Sequence, residues 1–122
     1  MKRIVIADDA GTARMFIKKC LEIVGFREAK FFEAANGKEA FKLIKAAPTD
    51  LLVTDINMPI MDGELLLKQV KSTQELKNIP VIVISSASNP AKEKELIALG
   101  AYGVLIKPVT PASLFPLVKP LL

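Results

Sequence analysis

Five short apolar runs punctuate the chain, and the stretches between them repeat apolar residues at helical spacing. The runs are IVIA (4–7), KFFEA (30–34), LLVT (51–54), VIVI (81–84) and GVLI (103–106). Phe16, Ile17, Cys20, Leu21 and Val24 fit one helix face; Ala40, Phe41, Leu43 and Ile44 fit a second. Leu66, Leu67 and Val70 mark a third, and Leu96, Ile97 and Leu99 close a fourth before Gly100. Strands that alternate with helices predict βαβ units, hence an α/β fold around a parallel sheet. The runs VIVI and LLV are continuous rather than alternating, which predicts strands covered by helices on both faces.

The punctuation agrees. Gly25 follows the first helix, Asn36-Gly37 opens the second, Pro80 precedes the fourth strand, and Gly100 and Gly103 bracket the turn into the fifth. In the tail, Thr110 and Pro111 read as N-cap and first helical position. Pro116 then falls inside the expected last helix, where it removes a hydrogen bond and costs on the order of 3 kcal/mol unless the helix bends. Pro120 repeats the problem, so the final helix is expected to be short or kinked.

Composition narrows the chemistry. The 122 residues suit a single domain, 1–122, with no repeat, linker or low-complexity segment. No run approaches the roughly 20 apolar residues of a membrane span. The apolar stretch after Lys2 and Arg3 is too short for a signal peptide, so the chain is expected to start at Met1 and to stay in the cytoplasm. Cys20 is the single cysteine; it sits in an apolar stripe and reads as a small buried hydrophobe. Histidine is absent, which removes His-ligated metals, His bases and Ser–His or Cys–His nucleophiles together. The net charge of +4 is scattered without a basic run or a nucleic-acid motif, so no nucleic-acid partner is expected.

The polar residues that end the runs carry the chemistry. Asp8 and Asp9 end the first, Asp55 the third, Ser85 the fourth and Lys107 the fifth. In a parallel sheet these ends lie along one edge, where ligands bind at the crevice of reversed strand order. Each residue alone has an ordinary account: Asp8-Asp9 as a helix cap, Asp55 and Asp62-Gly63 as turn residues, Ser85 and Lys107 as solvated groups. Together they gather three carboxylates, a hydroxyl and an ammonium. Three carboxylates repel and raise one another's pKa without a cation. Mg²⁺ suits such oxygen donors together with waters and a phosphate. Asp55 can then act as an aspartyl nucleophile, with Lys107 and the Ser85 hydroxyl on the phosphoryl oxygens.

At ADD (7–9), EAANGKEAF (33–41), DINMPIMDG (55–63), IPVIVISSAS (79–88) and GAYGVLIKP (100–108), essentially the whole chain resembles a response-regulator receiver domain of two-component signalling. The resemblance implies a doubly wound, flavodoxin-like sheet of order 2-1-3-4-5 with two helices on one face and three on the other. It makes Asp55 the phosphoacceptor. Asp9 and Asp55 would hold Mg²⁺ through their side chains and Asn57 through its backbone carbonyl, with Asp8 on metal-bound water. Ser85 matches the switch hydroxyl and Lys107 the lysine of such sites, and a cis peptide is implied before Pro108. Asn57 and Met58 make the motif most similar to stand-alone chemotaxis-type receivers.

The implied function is a phosphorylation-switched binding module that takes its phosphoryl group from a histidine kinase. It would be a monomer that catalyses only its own phosphorylation and hydrolysis. Its target surface would be formed by the fourth helix, fifth strand and fifth helix. The residue at the usual switch aromatic is Val104, with Tyr102 two residues earlier, and the prolines of the last helix alter the same surface. Alternatives are a relay shuttle to a histidine phosphotransfer protein, or a receiver cut from a longer transcription regulator. An aspartyl phosphohydrolase usually wants an acid two residues after its nucleophile, and position 57 is Asn. A flavin-phosphate site fits poorly with the acidic loop DDAGTA.

Overall fold

Branched residues in unbroken apolar runs are stable only where both faces of a strand are covered, and the chain meets that demand with a sandwich of helices around one sheet. A computed structural model describes residues 2–122. The strands are β1 (Arg3–Ala7), β2 (Lys30–Ala34), β3 (Leu51–Asp55), β4 (Val81–Ser85) and β5 (Gly103–Ile106). They alternate with α1 (Gly11–Val24), α2 (Gly37–Ala46), α3 (Gly63–Ser72), α4 (Pro90–Ala98) and α5 (Pro111–Val118), the last continued by a 3₁₀ turn, Lys119–Leu121.

All pairings are parallel, in the order β2-β1-β3-β4-β5. Successive strand residues feed opposite cores. Ile4 and Ile6 of β1, Val53 of β3, and Ile82 and Ile84 of β4 pack with Ile17, Cys20 and Leu21 of α1 and Leu114 and Val118 of α5. Val5, Leu52, Val81 and Val83 face the other way, against Ala40 and Ile44 of α2, Leu66, Leu67 and Val70 of α3, and Leu96 of α4. The fold class and the two-against-three division of helices follow the expectation.

Several local readings hold. The Asn36 and Asp62 side chains accept from the Glu39 and Leu65 amides at 2.9 and 2.8 Å and cap α2 and α3. Thr110 and Ser113 form a reciprocal capping box at α5, with Pro111 next. Gly25 ends α1 at φ 135°, a conformation that glycine adopts freely. The Lys107–Pro108 bond is cis.

Two apolar assignments are corrected. Phe16 is half exposed, because α1 buries the stripe through Ile17, Cys20 and Leu21, and Phe16 lies one step round the helix from it. Ile97 is likewise half exposed, since α4 buries only Leu96. The last helix is short: it runs through Pro116 and gives way to the 3₁₀ turn at Pro120. The Leu117 carbonyl finds no N–H at Pro120, and the Tyr102 hydroxyl donates to it at 2.7 Å. Tyr102 stands just before β5 and points to α5, while Val104 packs half-buried on the α2–α4 side of the sheet.

Candidate functional site

The register of the sheet puts the acidic residues side by side. Ala7 of β1 pairs with Thr54 of β3, so Asp8 leaves the sheet next to Asp55. Asp55 is itself paired with Ile84, which brings Ser85 alongside, and the Lys107 amide donates to the Ser85 carbonyl at 2.8 Å. Four segments far apart in sequence thus end at one edge of the sheet.

Carboxylate oxygens of Asp8, Asp9 and Asp55 all lie within 4.8 Å of one another. Asp8 and Asp55 are buried and Asp9 is exposed. The Lys107 ammonium reaches over both buried acids, 3.4 Å from Asp8 Oδ2 and 3.3 Å from Asp55 Oδ2. These contacts are looser than the roughly 2.7–2.9 Å of a tight charge-assisted bond. Burial, then the neighbouring Asp8 charge, push the Asp55 carboxyl above the ordinary carboxylate range, and Lys107 only partly offsets them. For Lys107, burial alone would lower the ammonium pKa, but the Asp55 and Asp8 charges outweigh it and hold it raised. With three carboxylates against one ammonium, a site of this kind is short of positive charge. The donor set is all oxygen, close-spaced and open to solvent on the Asp9 side, which fits a hard divalent cation.

The surroundings hold Asp55 from below. The buried Thr54 hydroxyl donates to the Asp55 carbonyl at 2.9 Å. The Ile56 amide donates to the Ile84 carbonyl at 3.0 Å, and the Gly63 amide returns to the Ile56 carbonyl at 2.9 Å. The loop from Asn57 to Asp62 is thereby folded back over the strand end. A side chain at Gly63 would run into the Asp55 carbonyl, so only glycine lets α3 start there. The loop also rests on α2, where the Gly37 amide donates to the Met61 carbonyl at 2.8 Å. Within it, Ile60 is 78% exposed at φ 69°, an uncommon backbone region for a β-branched residue.

Each expected residue has a definite place. Asp8, Asp9, Asp55 and Lys107 come together. Asn57 lines the same open cleft as Asp9, with Met58, Pro59 and Asp62. Ser85 stands at the edge, but its hydroxyl donates to the Ala87 carbonyl at 3.0 Å within its own turn. Asp8 and Asp9 do not serve as the N-cap of α1, which is Ala10 without a side-chain cap. Asp8 Oδ1 instead accepts from the Ala10 amide at 2.9 Å.

Reading the sequence missed Arg14, which donates to the Asp8 carbonyl at 2.6 Å and to Glu33 Oε1 at 2.8 Å. Its only signal was a cation in the first turn of the helix that follows the acidic pair.

Known proteins resemble the chain in sequence and in fold. The family description "Response regulator receiver domain" matches residues 4–119. The chain is 37% identical over 112 residues to chemotaxis protein CheY-3 of Vibrio cholerae, covering 92% of this chain and 85% of that one. It is 35% identical over 113 residues to chemotaxis protein CheY1 of Helicobacter pylori, covering 92% and 90%. Among solved structures, the chemotaxis response regulator CheY4 of Vibrio cholerae superimposes with a TM-score of 0.86 at 30% identity, covering 100% of this chain and 99% of that one. The chain therefore belongs to the response-regulator receiver family.

Proposed function

We propose that this receiver is switched by phosphorylation of Asp55, with Mg²⁺ bound at the acidic cluster and a histidine kinase as phosphodonor. The observation that carries the reading is the convergence of Asp8, Asp9 and Asp55 beneath the single Lys107 ammonium. Asp9 and Asp55 would hold the cation by their side chains and Asn57 by its backbone carbonyl, while Asp8 orients a bound water. The cation supplies charge neutralisation for the clustered carboxylates and the incoming phosphoryl oxygens.

The chain's own groups do the rest. An Asp55 carboxylate oxygen forms the new O–P bond as the donor's P–N bond breaks, and the freed imidazole keeps that electron pair and takes up a proton. Lys107, already loosely held between two acids, turns its ammonium to a phosphoryl oxygen. The Ser85 hydroxyl leaves the Ala87 carbonyl for another, drawing the loop between β4 and α4 inward. Such movement would act on the exposed apolar groups of α4, β5 and α5, among them Ile97, Ile106 and Phe115, where a target protein docks. The chemotaxis proteins named above support a stand-alone signalling role. A relay role has support of its own, since the chain is 31% identical over 112 residues to 11% of the sensor histidine kinase TmoS of Ectopseudomonas mendocina.

Incubation with acetyl phosphate, with and without Mg²⁺, followed by intact-mass measurement beside Asp55→Asn, tests the reading. One Mg²⁺-dependent phosphoryl addition, absent in the variant, is expected. No addition under any condition would refute it.

A further inference from the structure

The turn that presents Asp8 and Asp9 is held in part by Asp8 itself, whose Oδ1 accepts from the Ala10 amide, and in part from outside. Helix α1 has no side-chain cap and no acidic residue in its first turn. The Asp8 amide closes the sheet on the Ala34 carbonyl at 3.0 Å, and from there the chain must turn sharply into α1. The Asp8 carbonyl, partly buried at this turn, is satisfied by Arg14 Nη1 at 2.6 Å, from one turn into the helix. The same guanidinium gives Nε to Glu33 Oε1 of β2 at 2.8 Å. It lies across Gly11, where a Cβ would stand 3.3 Å from Arg14 Nη2. One planar group thus ties the edge strand, the turn and the helix start together, a geometry that a fork of donors makes and a single ammonium does not.

We propose that Arg14, paired with Glu33, is a positioning residue for the acidic site: it fixes the turn that aims the Asp8 and Asp9 carboxylates at the cation position beside Asp55. The proposal rests on the metal-dependent reading above. Two effects of Arg14 oppose each other, and their signs differ. As a nearby positive charge it weakens cation binding; as a strut it strengthens it. The Glu33 carboxylate, in direct contact, neutralises the charge locally and leaves the strut dominant. Groups that orient metal ligands from behind typically change metal affinity by roughly ten- to a hundredfold when removed.

The test is Mg²⁺ titration by calorimetry of the wild-type protein, Arg14→Ala, Arg14→Lys and Glu33→Gln, each first checked for folding by circular dichroism. Amide exchange at Ala10 is measured in parallel without metal, because that amide is bonded to Asp8 Oδ1. Arg14→Ala is expected to raise the Mg²⁺ Kd about tenfold and to speed Ala10 exchange by at least about tenfold, while amides of β4 stay protected. Arg14→Lys, which keeps the stem and charge, is expected to restore folding if the alanine variant loses it, yet to recover only part of the affinity. Glu33→Gln is expected to weaken binding about threefold, as a charge-assisted bond becomes a neutral one. Unchanged affinity and unchanged Ala10 exchange would overturn the proposal. So would tighter Mg²⁺ binding in Arg14→Ala, which is the signature of charge alone. Wild-type protein that binds Mg²⁺ but accepts no phosphoryl group would sink the phosphoacceptor reading and leave this comparison to decide Arg14. Wild-type protein that binds no Mg²⁺ would overturn both.

Discussion

Gly63 is the point at which the fold and the site impose on each other most directly, so Gly63→Ala is the sharpest perturbation available. A Cβ built there runs into the Asp55 carbonyl oxygen and stands 2.9 Å from Ile56 Cα and 3.1 Å from the Asp55 carbonyl carbon. All three are backbone atoms of a buried strand end, so no rotamer change relieves the contact. The start of α3 must move away, by roughly 1–1.5 Å, to regain ordinary van der Waals separation from that oxygen. That displacement strains the Gly63–Ile56 hydrogen bond and the Asp62 cap beside it, each contributing about 1 kcal/mol. Overpacking adds a further 1–3 kcal/mol or so. The expected loss is about 3–5 kcal/mol, out of a total that is typically about 5–15 kcal/mol for a domain. With a urea slope of roughly 1.5 kcal/mol per molar, the unfolding midpoint should fall by about 2–3 M. Equilibrium urea titration followed by far-ultraviolet circular dichroism reads this directly. A midpoint within about 0.3 M of wild type would refute the steric account and show that the strand end yields.

Further predictions concern the carboxylates, the strained loop and the last helix. In EDTA at pH 7, Asp55→Asn should raise the melting temperature by at least about 3 °C, as relief of roughly 1 kcal/mol from charge burial and then from the Asp8 repulsion would. The sign follows from the raised Asp55 pKa. Its contribution to stability is full below the ordinary carboxylate range and is lost as pH rises through the folded value, so metal-free wild type should lose stability there and the variant should lose less. Millimolar Mg²⁺ should reverse the order, since binding stabilises only a folded site that holds the ion; scanning calorimetry with and without Mg²⁺ checks both. Ile60→Asn should stabilise the protein by about 1 kcal/mol, because the left-handed conformation is costly for a β-branched residue whose side chain buries little. An unchanged thermal midpoint would contradict it. Tyr102→Phe should cost about 1 kcal/mol in urea titration by leaving the Leu117 carbonyl without its partner, and no change would mean that water serves equally well.

The sheet was legible because its strands are continuous apolar runs whose ends carry turn residues, and each run appears as a strand within a residue of where the pattern puts it. The acidic cluster was legible for the same reason: in a parallel sheet, residues that end successive strands must converge. What the pattern could not supply was side-chain direction. Phe16 and Ile97 belong to apolar stripes by spacing, but the stripes that α1 and α4 bury are narrower than the spacing allows, and both residues face solvent. Ser85 was placed correctly at its strand end, yet the turn that occupies its hydroxyl depends on the path from Ser86 to Ala87, which no periodicity encodes. Arg14 escaped notice because its partners, the Asp8 carbonyl and Glu33, meet it only once β1 and β2 are paired.

The hydrogen bond from Tyr102 to Leu117 makes one mechanical body of β5 and α5. A ring at this place cannot swing free without abandoning a helix-end carbonyl that Pro120 leaves unserved. Lys107, one residue past β5, lies at the other end of the same body. On the proposed function, a pull on Lys107 would tilt strand and helix together, rather than flip one side chain. The surface that carries Ile106 and Phe115 would then be altered as a whole, by degrees, with no single aromatic acting as its latch.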